Sequence, residues 1–432
     1  MDIAVLGLWH LGETYSAGLA ELGNNVVGID EDGAVVKGLS AGVPPLAEPG
    51  LAELIAKNAA AGRLRYTTDF AAAGACGIVW FTFDTPVNDR DEPQMEGIYA
   101  ALEKIMPHLK RDAVFVMTSQ VPVGTSREIL KRIRAKRPEV TVHYAYTPEN
   151  LRLGEAVKCF FEPGRIVLGA DDAAARDPLV KIFAPLGAPI VTMSVPSAEM
   201  AKHALNAFLA TSLSFINDIA DICDAHGADI LDVVRALRSD PRIGEKAFLG
   251  AGLGFSGGTL GRDLRVLSAA AEAHKIFAPV IKSAWEKNAA REREVAERLA
   301  GILGGAKGKR IAVFGVTYKA GTTTLRRSRA IELAARLSAA GATVALHDPH
   351  AIKKEVAALT ALPFSNDPYG AARDCDGIIV ATPWPEFKAL DLARLAKACH
   401  ANAVVFDATN FLYNKETEIK KAGFRYFGVG RT

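Results

Sequence analysis

The chain has 432 residues, 49% of them hydrophobic and 23% charged, a composition that excludes intrinsic disorder and can fill large cores. Lys and Arg number 51 against 49 Asp and Glu, so the formal charge of +2 supplies no electrostatic footprint for nucleic acid or an anionic membrane. At about 100–200 residues per domain the length predicts two or three domains.

No apolar run approaches the roughly 18 residues of a membrane helix, and Met1 leads into an apolar run without a basic, signal-like segment. The expected address is the cytoplasm. Cys76, Cys159, Cys223, Cys375 and Cys399 are odd in number, scattered and without C-x-x-C spacing. Neither a disulfide framework nor a metal site is expected from them.

Short β-branched runs alternate with amphipathic stretches through the first ~170 residues: Ile3–Leu6, Asn25–Ile29, Gly77–Phe83, Ala113–Thr118, Val140–Tyr146 and Arg165–Gly169. That order predicts a parallel sheet covered by helices. From Ser197 to Ala300 helical periodicity takes over (Met200, Ala204, Ala207, Phe208, Thr211, Phe215, Ile219), broken by a glycine-rich loop from Gly250 to Gly261. Strand runs resume with Arg310–Gly315, Thr343–His347, Gly377–Ala381, Ala403–Asp407 and Phe424–Phe427. The expected fold class is α/β, with two Rossmann-like, doubly wound parallel-sheet domains flanking a helical centre. The boundaries drawn are 1–196, 197–303 and 304–432. The two ends are loosely alike, since Asp2–Gly7 and Arg310–Gly315 both run from strand into glycine.

The first of those turns has the context of a dinucleotide site. Ile3-Ala4-Val5-Leu6 leads into Gly7-Leu8-Trp9-His10-Leu11-Gly12, and Asp30 closes the next strand. In G-x-G-x-x-G the first glycine turns the chain, the second admits the pyrophosphate and the third lets helix pack on strand. Trp9 occupies the second place, where a side chain is expected to displace the pyrophosphate or rearrange the turn. Asp30 suits a ribose 2′-hydroxyl and repels a 2′-phosphate, which favours NAD over NADP. These residues alone also describe an ordinary strand-turn-helix with a surface aspartate.

Further motifs follow in series: Pro45 to Leu51 (P-L-A-E-P-G-L), Gly62-Arg63-Leu64, Thr85-Pro86, Val121-Pro122-Val123-Gly124-Thr125, Pro148-Glu149-Asn150-Leu151-Arg152-Leu153-Gly154, Ser197-Ala198-Glu199-Met200 with Asn206, and Asp240-Pro241-Arg242-Ile243-Gly244. Gly254-Phe255, Arg262-Asp263-Leu264, Tyr318-Lys319, Arg326 with Ser328, Asp348-Pro349, Trp384 with Phe387, and Gly428 to Arg431 complete it. Taken together the chain resembles the UDP-glucose/GDP-mannose dehydrogenase family of nucleotide-sugar dehydrogenases over almost its whole length.

The resemblance implies NAD in the first domain, a sugar nucleotide between the middle and last, and a homodimer built on the central helices. It implies a reaction that takes C6 of a sugar through an aldehyde to a carboxylate. Lys202 and Asn206, four apart and so on one helix face, match the family pair that steadies an oxyanion or relays a proton; on its own such a pair is more often a solvated face. Glu149 matches the glutamate that works through water, and Asp263 joins the catalytic set. Cofactor contacts are implied for Gly7, Trp9, Gly12, Asp30, Thr85, Gln120, Arg262 and Arg326. Substrate contacts are implied for Asn150, Leu151, Arg152, Leu153, Arg242, Phe255, Ser256, Tyr318 and Lys319.

The chain departs from the family where its chemistry is made. The family thiol segment G-F-G-G-S-C-F-P-K-D is here Gly254-Phe255-Ser256-Gly257-Gly258-Thr259-Leu260-Gly261-Arg262-Asp263, so Thr259 holds the nucleophile's place. An alcohol needs a strong neighbouring base to attack a carbonyl, so a covalent thioester is excluded at that position. The family's D-G-R-N is Asp407-Ala408-Thr409-Asn410, which removes a bidentate arginine. The expectation is NAD-dependent oxidation of a nucleotide sugar that stops at the aldehyde or ketone. Full oxidation to a uronic acid through a hydrate, and a sugar-nucleotide binder without activity, stand as alternatives. A β-hydroxyacid dehydrogenase is disfavoured by the second α/β unit. Phe208, Leu209, Leu213, Phe215 and Ile216 suit either a dimer interface or a core.

Overall fold

In the computed structural model, residues 1–46, 48–88, 92–148, 151–256, 258–325 and 327–431 are described. They form two compact units, Met1–Leu205 and Asn206–Thr432.

The first unit is built on eight strands: β1 (Asp2–Leu6), β2 (Asn25–Ile29), β3 (Leu64–Thr67), β4 (Ile78–Phe81), β5 (Ala113–Met117), β6 (Val142–Tyr146), β7 (Ile166–Ala170) and β8 (Ile190–Met193). Their order across the sheet is β3-β2-β1-β4-β5-β6-β7-β8. Crossover helices cover both faces, so β1 is apolar from Ile3 onward: Ala4 and Leu6 enter one core, Ile3 and Val5 the other. Trp80, fully buried on β4, packs edge-on against Phe183 and donates its indole N–H to Thr118 Oγ1 at 2.7 Å.

The sheet is parallel with one exception. β7 pairs antiparallel with β6, and β8 then follows β7 in parallel. The parallel sheet expected from sequence is corrected at this edge, where β6 and β7 are joined by a short helix, Ala156–Phe161, rather than by a full crossover. β3 and β8 were not expected. β8 is half-exposed along its length, as an edge strand is, although its sequence Ile190-Val191-Thr192-Met193 is largely apolar.

Register sets the site. Leu6 pairs with Ile29 on one side and Phe81 on the other, so Gly7, Asp30 and Thr82 leave the sheet at one level. Ligands in doubly wound sheets bind beyond these carboxyl ends.

The second unit holds β9 (Arg310–Phe314), β10 (Thr343–His347), β11 (Phe364–Ser365), β12 (Gly377–Val380), β13 (Val404–Asp407) and β14 (Arg425–Gly428), in the order β11-β10-β9-β12-β13-β14 and parallel throughout. Helices Ile230–Ser239, Thr259–Ala273 and Pro279–Leu303 belong to it. Its largest core draws on both helix and sheet, from Ile216 and Leu299 to Val313 and Phe406. The helix Val195–His226 begins in the first unit and continues into the second.

The likeness of the two chain ends is now explicit. Gly7 N–H donates to Ile29 O at 3.0 Å and Gly315 N–H to His347 O at 2.7 Å. Leu8 N–H donates to the Asp30 carboxylate at 2.6 Å and Val316 N–H to that of Asp348 at 2.8 Å. Thr82 and Thr382 each close their turn from the next strand, donating to the carbonyls of Gly7 and Gly315 at 2.9 and 3.1 Å. The same solution to a strand-to-helix turn is used twice.

Candidate active site

In the first unit the turn after β1 makes a glycine cradle. Gly7 has φ +88°, a conformation that a side chain opposes. A Cβ on Gly12 would lie 1.8 Å from Gly7 O, so only glycine lets the helix His10–Glu21 come this close to the strand. Trp9 is the residue before that helix, with φ −82° and ψ −161°, and its side chain is 47% exposed. Trp9 thus takes ordinary extended backbone at the place expected to displace the pyrophosphate or rearrange the turn.

Asp30 sits at the end of β2 and accepts from Leu8 N–H, while its second oxygen accepts from Asp32 N–H at 3.0 Å. Two backbone amides therefore fix this carboxylate at the carboxyl end of β2. Thr85 and Gln120 follow β4 and β5 and are buried. Glycine cradle and acid together fit NAD.

Beyond β6, Thr147, Pro148, Leu151, Arg152, Cys159 and Arg165 line a cavity of ≈ 310 Å³. Leu153 is 48% exposed at the tip of the same loop. Glu149, Asn150 and Arg326 lie outside the described residues. Lys202 is buried on the helix Val195–His226, one turn after Glu199. Glu199, fully buried, accepts from Gly124 N–H at 2.7 Å and Ser126 N–H at 2.9 Å, capping the next helix across the sheet.

In the second unit Asn206 donates its carboxamide N–H to the fully buried carboxylate of Asp263. A carboxylate only accepts, so this bond fixes which way the amide points. Arg262 Nε stands 3.8 Å from Asp263 Oδ1. Thr259 is the exposed first residue of the helix that carries both. Burial pushes the thiols of Cys76 and Cys223 up, that of Cys375 to about 12 and that of Cys399 to about 11.

The preceding loop is clamped rather than loose. Gly252 N–H donates to Asn217 Oδ1 at 2.8 Å, and the buried Arg291 guanidinium donates to Gly252 O at 2.6 Å. Asn288 holds both backbone groups of Phe255, at 2.8 and 3.2 Å. Gly254, with φ +82°, has no room for a Cβ beside Asn288. Ser256 Oγ accepts from Arg329 N–H at 3.3 Å. Gly252 also lies against Ala408 O, so Thr409, the residue in place of the family arginine, borders this loop; its hydroxyl turns back to Asp407 at 2.9 Å.

Tyr318 and Lys319 follow the second glycine turn, with the Lys319 ammonium 5.7 Å from the Tyr318 ring centre. Arg242 stands apart from the Asn206–Asp263 group. Its side chain is 88% exposed and is paired with Asp240 at 2.7 Å. Of the apolar stripe on the long helix, Leu213 and Ile216 enter the core, whereas Phe208 and Phe215 are 69% and 49% exposed.

The sequence reading missed the polar groups that hold the site. Asn217, Asn288 and Arg291 clamp the glycine loop, and Glu13, His10 and Glu48 lie under the cofactor turn. Glu13 is fully buried in the first turn of the dinucleotide helix. Burial pushes its carboxyl up to about 8, the backbone of Leu46 opposing and the charge of Glu48 adding to the rise. An acid among the apolar and small residues of that helix was the signal available. Among the described residues no group of three or more His, Cys, Asp and Glu gathers as a metal site, and no helix is long and apolar enough to cross a membrane.

Comparison with known proteins gives the family. Residues 1–187 match the NAD binding domain of the UDP-glucose/GDP-mannose dehydrogenase family, residues 196–290 its central domain and residues 312–414 its UDP binding domain. The chain is 36% identical over its full length to the UDP-glucose 6-dehydrogenase of Rhizobium meliloti (strain 1021), all of which is covered. It is 34% identical to UDP-glucose 6-dehydrogenase TuaD of Bacillus subtilis (strain 168), with 99% of this chain and 93% of that one aligned. The structure of a UDP-glucose dehydrogenase from the archaeon Pyrobaculum islandicum superposes with a TM-score of 0.87 at 31% identity, covering 100% of this chain and 98% of that one. With a glycine cradle and acid suited to NAD, and with all three family domains in order, the chain belongs to the UDP-glucose/GDP-mannose dehydrogenase family and is an NAD-dependent nucleotide-sugar dehydrogenase.

Proposed function

We propose that the chain oxidises C6 of a UDP-hexose, UDP-glucose first among them, to the uronate, and that water rather than a cysteine carries the aldehyde to the acid. The observation that carries this reading is the full-length likeness to UDP-glucose 6-dehydrogenases, which supports complete oxidation over a stop at the aldehyde. Thr259 favours the stop as a second reading, since it removes the thiol that would trap the aldehyde.

Bound NAD supplies the hydride acceptor. The Gly7–Gly12 turn receives its pyrophosphate and Asp30 its ribose hydroxyls, with Thr85, Gln120, Arg262 and Arg326 completing the cofactor contacts and Trp9 at the rim. Lys202 and Asn206 stabilise the alkoxide as the alcohol loses its proton, and Asp263 keeps the Asn206 amide in donating orientation. The aldehyde adds water to form a hydrate, Glu149 takes a proton through water, and the hydrate loses its hydride to leave the carboxylate. The balance is one alcohol, one water and two NAD to one carboxylate, two NADH and three protons. Leu151, Arg152, Leu153, Asn150, Phe255, Ser256, Arg242, Tyr318 and Lys319 contact the sugar nucleotide.

In this reading the division into 1–196, 197–303 and 304–432 is the functional one. The enzyme works in the cytoplasm as a homodimer through the helix face that carries Phe208 and Phe215. Incubation with UDP-glucose and NAD tests the reaction: NADH formation with UDP-glucuronate as product supports it, and NADH formation with the aldehyde as end product replaces it with the second reading.

A further inference from the structure

The segment that follows Glu149 and Asn150 is tied to a residue a hundred positions earlier. Leu151 to Glu155 make a tight turn, with Glu155 N–H donating to Arg152 O at 2.9 Å and Gly154 at φ +83°. On either side of Glu155 the backbone reaches the same carboxylate. Gly154 N–H donates to Glu48 Oε1 at 2.7 Å and Ala156 N–H to Glu48 Oε2 at 3.1 Å. The Glu48 side chain is 1% exposed, so these bonds form away from competing water.

Glu48 is also reached from the cofactor turn. His10 Nε2, on the first residue of the dinucleotide helix, lies 3.4 Å from Glu48 Oε1. The charge of Glu48 is felt by Glu13, one turn further along that helix, and Tyr66 on β3 is the other titratable group that senses Glu13. One buried carboxylate thus stands between the helix that receives the cofactor and the loop whose Leu151 and Arg152 line the cavity beyond β6.

We propose that Glu48 is a positioning residue for substrate binding: by accepting from Gly154 and Ala156 it sets the loop that carries Leu151 to Leu153 beside the cofactor turn, whose His10 Nε2 lies 3.4 Å from the same carboxylate. The role in substrate binding rests on the proposed sugar-nucleotide reaction; the anchoring itself does not. Glu48 touches neither reactant, so its loss acts through loop placement. A carboxylate is required, because a carboxamide of the same shape offers one acceptor and turns a donor toward the second amide.

The test compares wild type with Glu48→Gln in three measurements. These are amide hydrogen exchange over residues 151–157, the Kd for NAD, and the KM and kcat for UDP-glucose. Loss of one buried hydrogen bond to a charged acceptor is expected to speed exchange at Gly154 and Ala156 and raise KM by about tenfold or more, with NAD affinity within about twofold and kcat within about threefold. Unchanged exchange at those amides overturns the inference. A KM for UDP-glucose and a Kd for NAD that rise in step also overturn it, since a general loss of structure does that. Should Glu48→Gln not fold, Glu48→Asp, which keeps the charge but draws it back by one methylene, takes the same measurements with the same criteria. A wild-type enzyme inactive on UDP-hexoses defeats the proposed reaction, while the exchange comparison still decides the anchor.

Discussion

Leu8 donates its backbone N–H to Asp30 at 2.6 Å, which joins the dinucleotide turn to the end of the neighbouring strand through one carboxylate. The acid proposed to bind the ribose is therefore also part of the turn proposed to receive the pyrophosphate. Asp30→Ala is expected to weaken NAD binding about 10- to 100-fold, the range for losing a hydrogen bond to a charged group, and to narrow the preference for NAD over NADP. Binding titrations and the ratio of kcat/KM for the two cofactors measure both effects. Unchanged discrimination would remove Asp30 from the ribose.

The glycine cradle makes a sharper demand. Gly12→Ala places a methyl against the carbonyl of Gly7 and is expected to abolish NAD binding or the fold of the first unit. Gly33→Ala is the control, because nothing lies within 4 Å of a Cβ there and the residue starts the helix Gly33–Ser40. Its stability should match or exceed wild type by about 0.5–1 kcal/mol. Thermal unfolding with and without NAD separates the two variants.

Asn206 and Asp263 act as a unit. Asp263→Asn removes the charge and leaves one acceptor oxygen, so that an amide N–H₂ must face either Asn206 or Arg262. A fall in kcat of about 10²–10³ is expected, comparable to losing one oriented oxyanion donor, with NAD affinity little changed. Asn206→Ala should fall by a similar factor, and the double variant no further. Steady-state kinetics on the three proteins decides this; additive losses would mean that the pair does not work together.

Glu13 makes stability fall with rising pH. Its carboxyl is raised from 4.5 to about 8 in the folded chain, so the folded state holds a proton that the unfolded state releases above about pH 4.5. The group costs nothing below that pH, and its cost grows until the folded carboxyl also ionises near pH 8. At 1.36 kcal/mol per unit the span is on the order of 5 kcal/mol. Glu13→Gln should therefore flatten the pH dependence, gaining over wild type more at pH 8 than at pH 5. Urea unfolding at the two pH values measures it. His10, Glu48 and Tyr66 remain in both proteins, so the difference belongs to Glu13.

Legibility in the sequence followed locality. β1, its glycine turn and Asp30 lie within 30 residues and combine an apolar run with a glycine and an acid, so they could be read directly. β3 was missed because Arg65 breaks its apolar run, whereas β8, Ile190-Val191-Thr192-Met193, did carry a β-branched signal in its sequence. The antiparallel step at β7 was not legible, since the stretch from Tyr146 to Ile166 contains a helix and is long enough for a parallel crossover. Lys202, Asn206 and Asp263 came from resemblance, because a Lys and an Asn one turn apart carry no signal of their own. Glu48 could be quoted in its motif but not interpreted: its partners Gly154 and Ala156 are backbone groups more than 100 residues away, and a backbone amide has no signature in sequence.

Thr259 is where the central claim is exposed to test. If water carries the aldehyde to the acid, the residue in the thiol's place contributes no bond to the reaction. The direct measurement is the NADH formed per UDP-glucose consumed, with the product identified by mass, for wild type and Thr259→Ala. Two NADH per sugar and UDP-glucuronate from both proteins are expected. One NADH per sugar with an accumulated aldehyde from wild type, or loss of the second NADH in Thr259→Ala alone, would contradict the account.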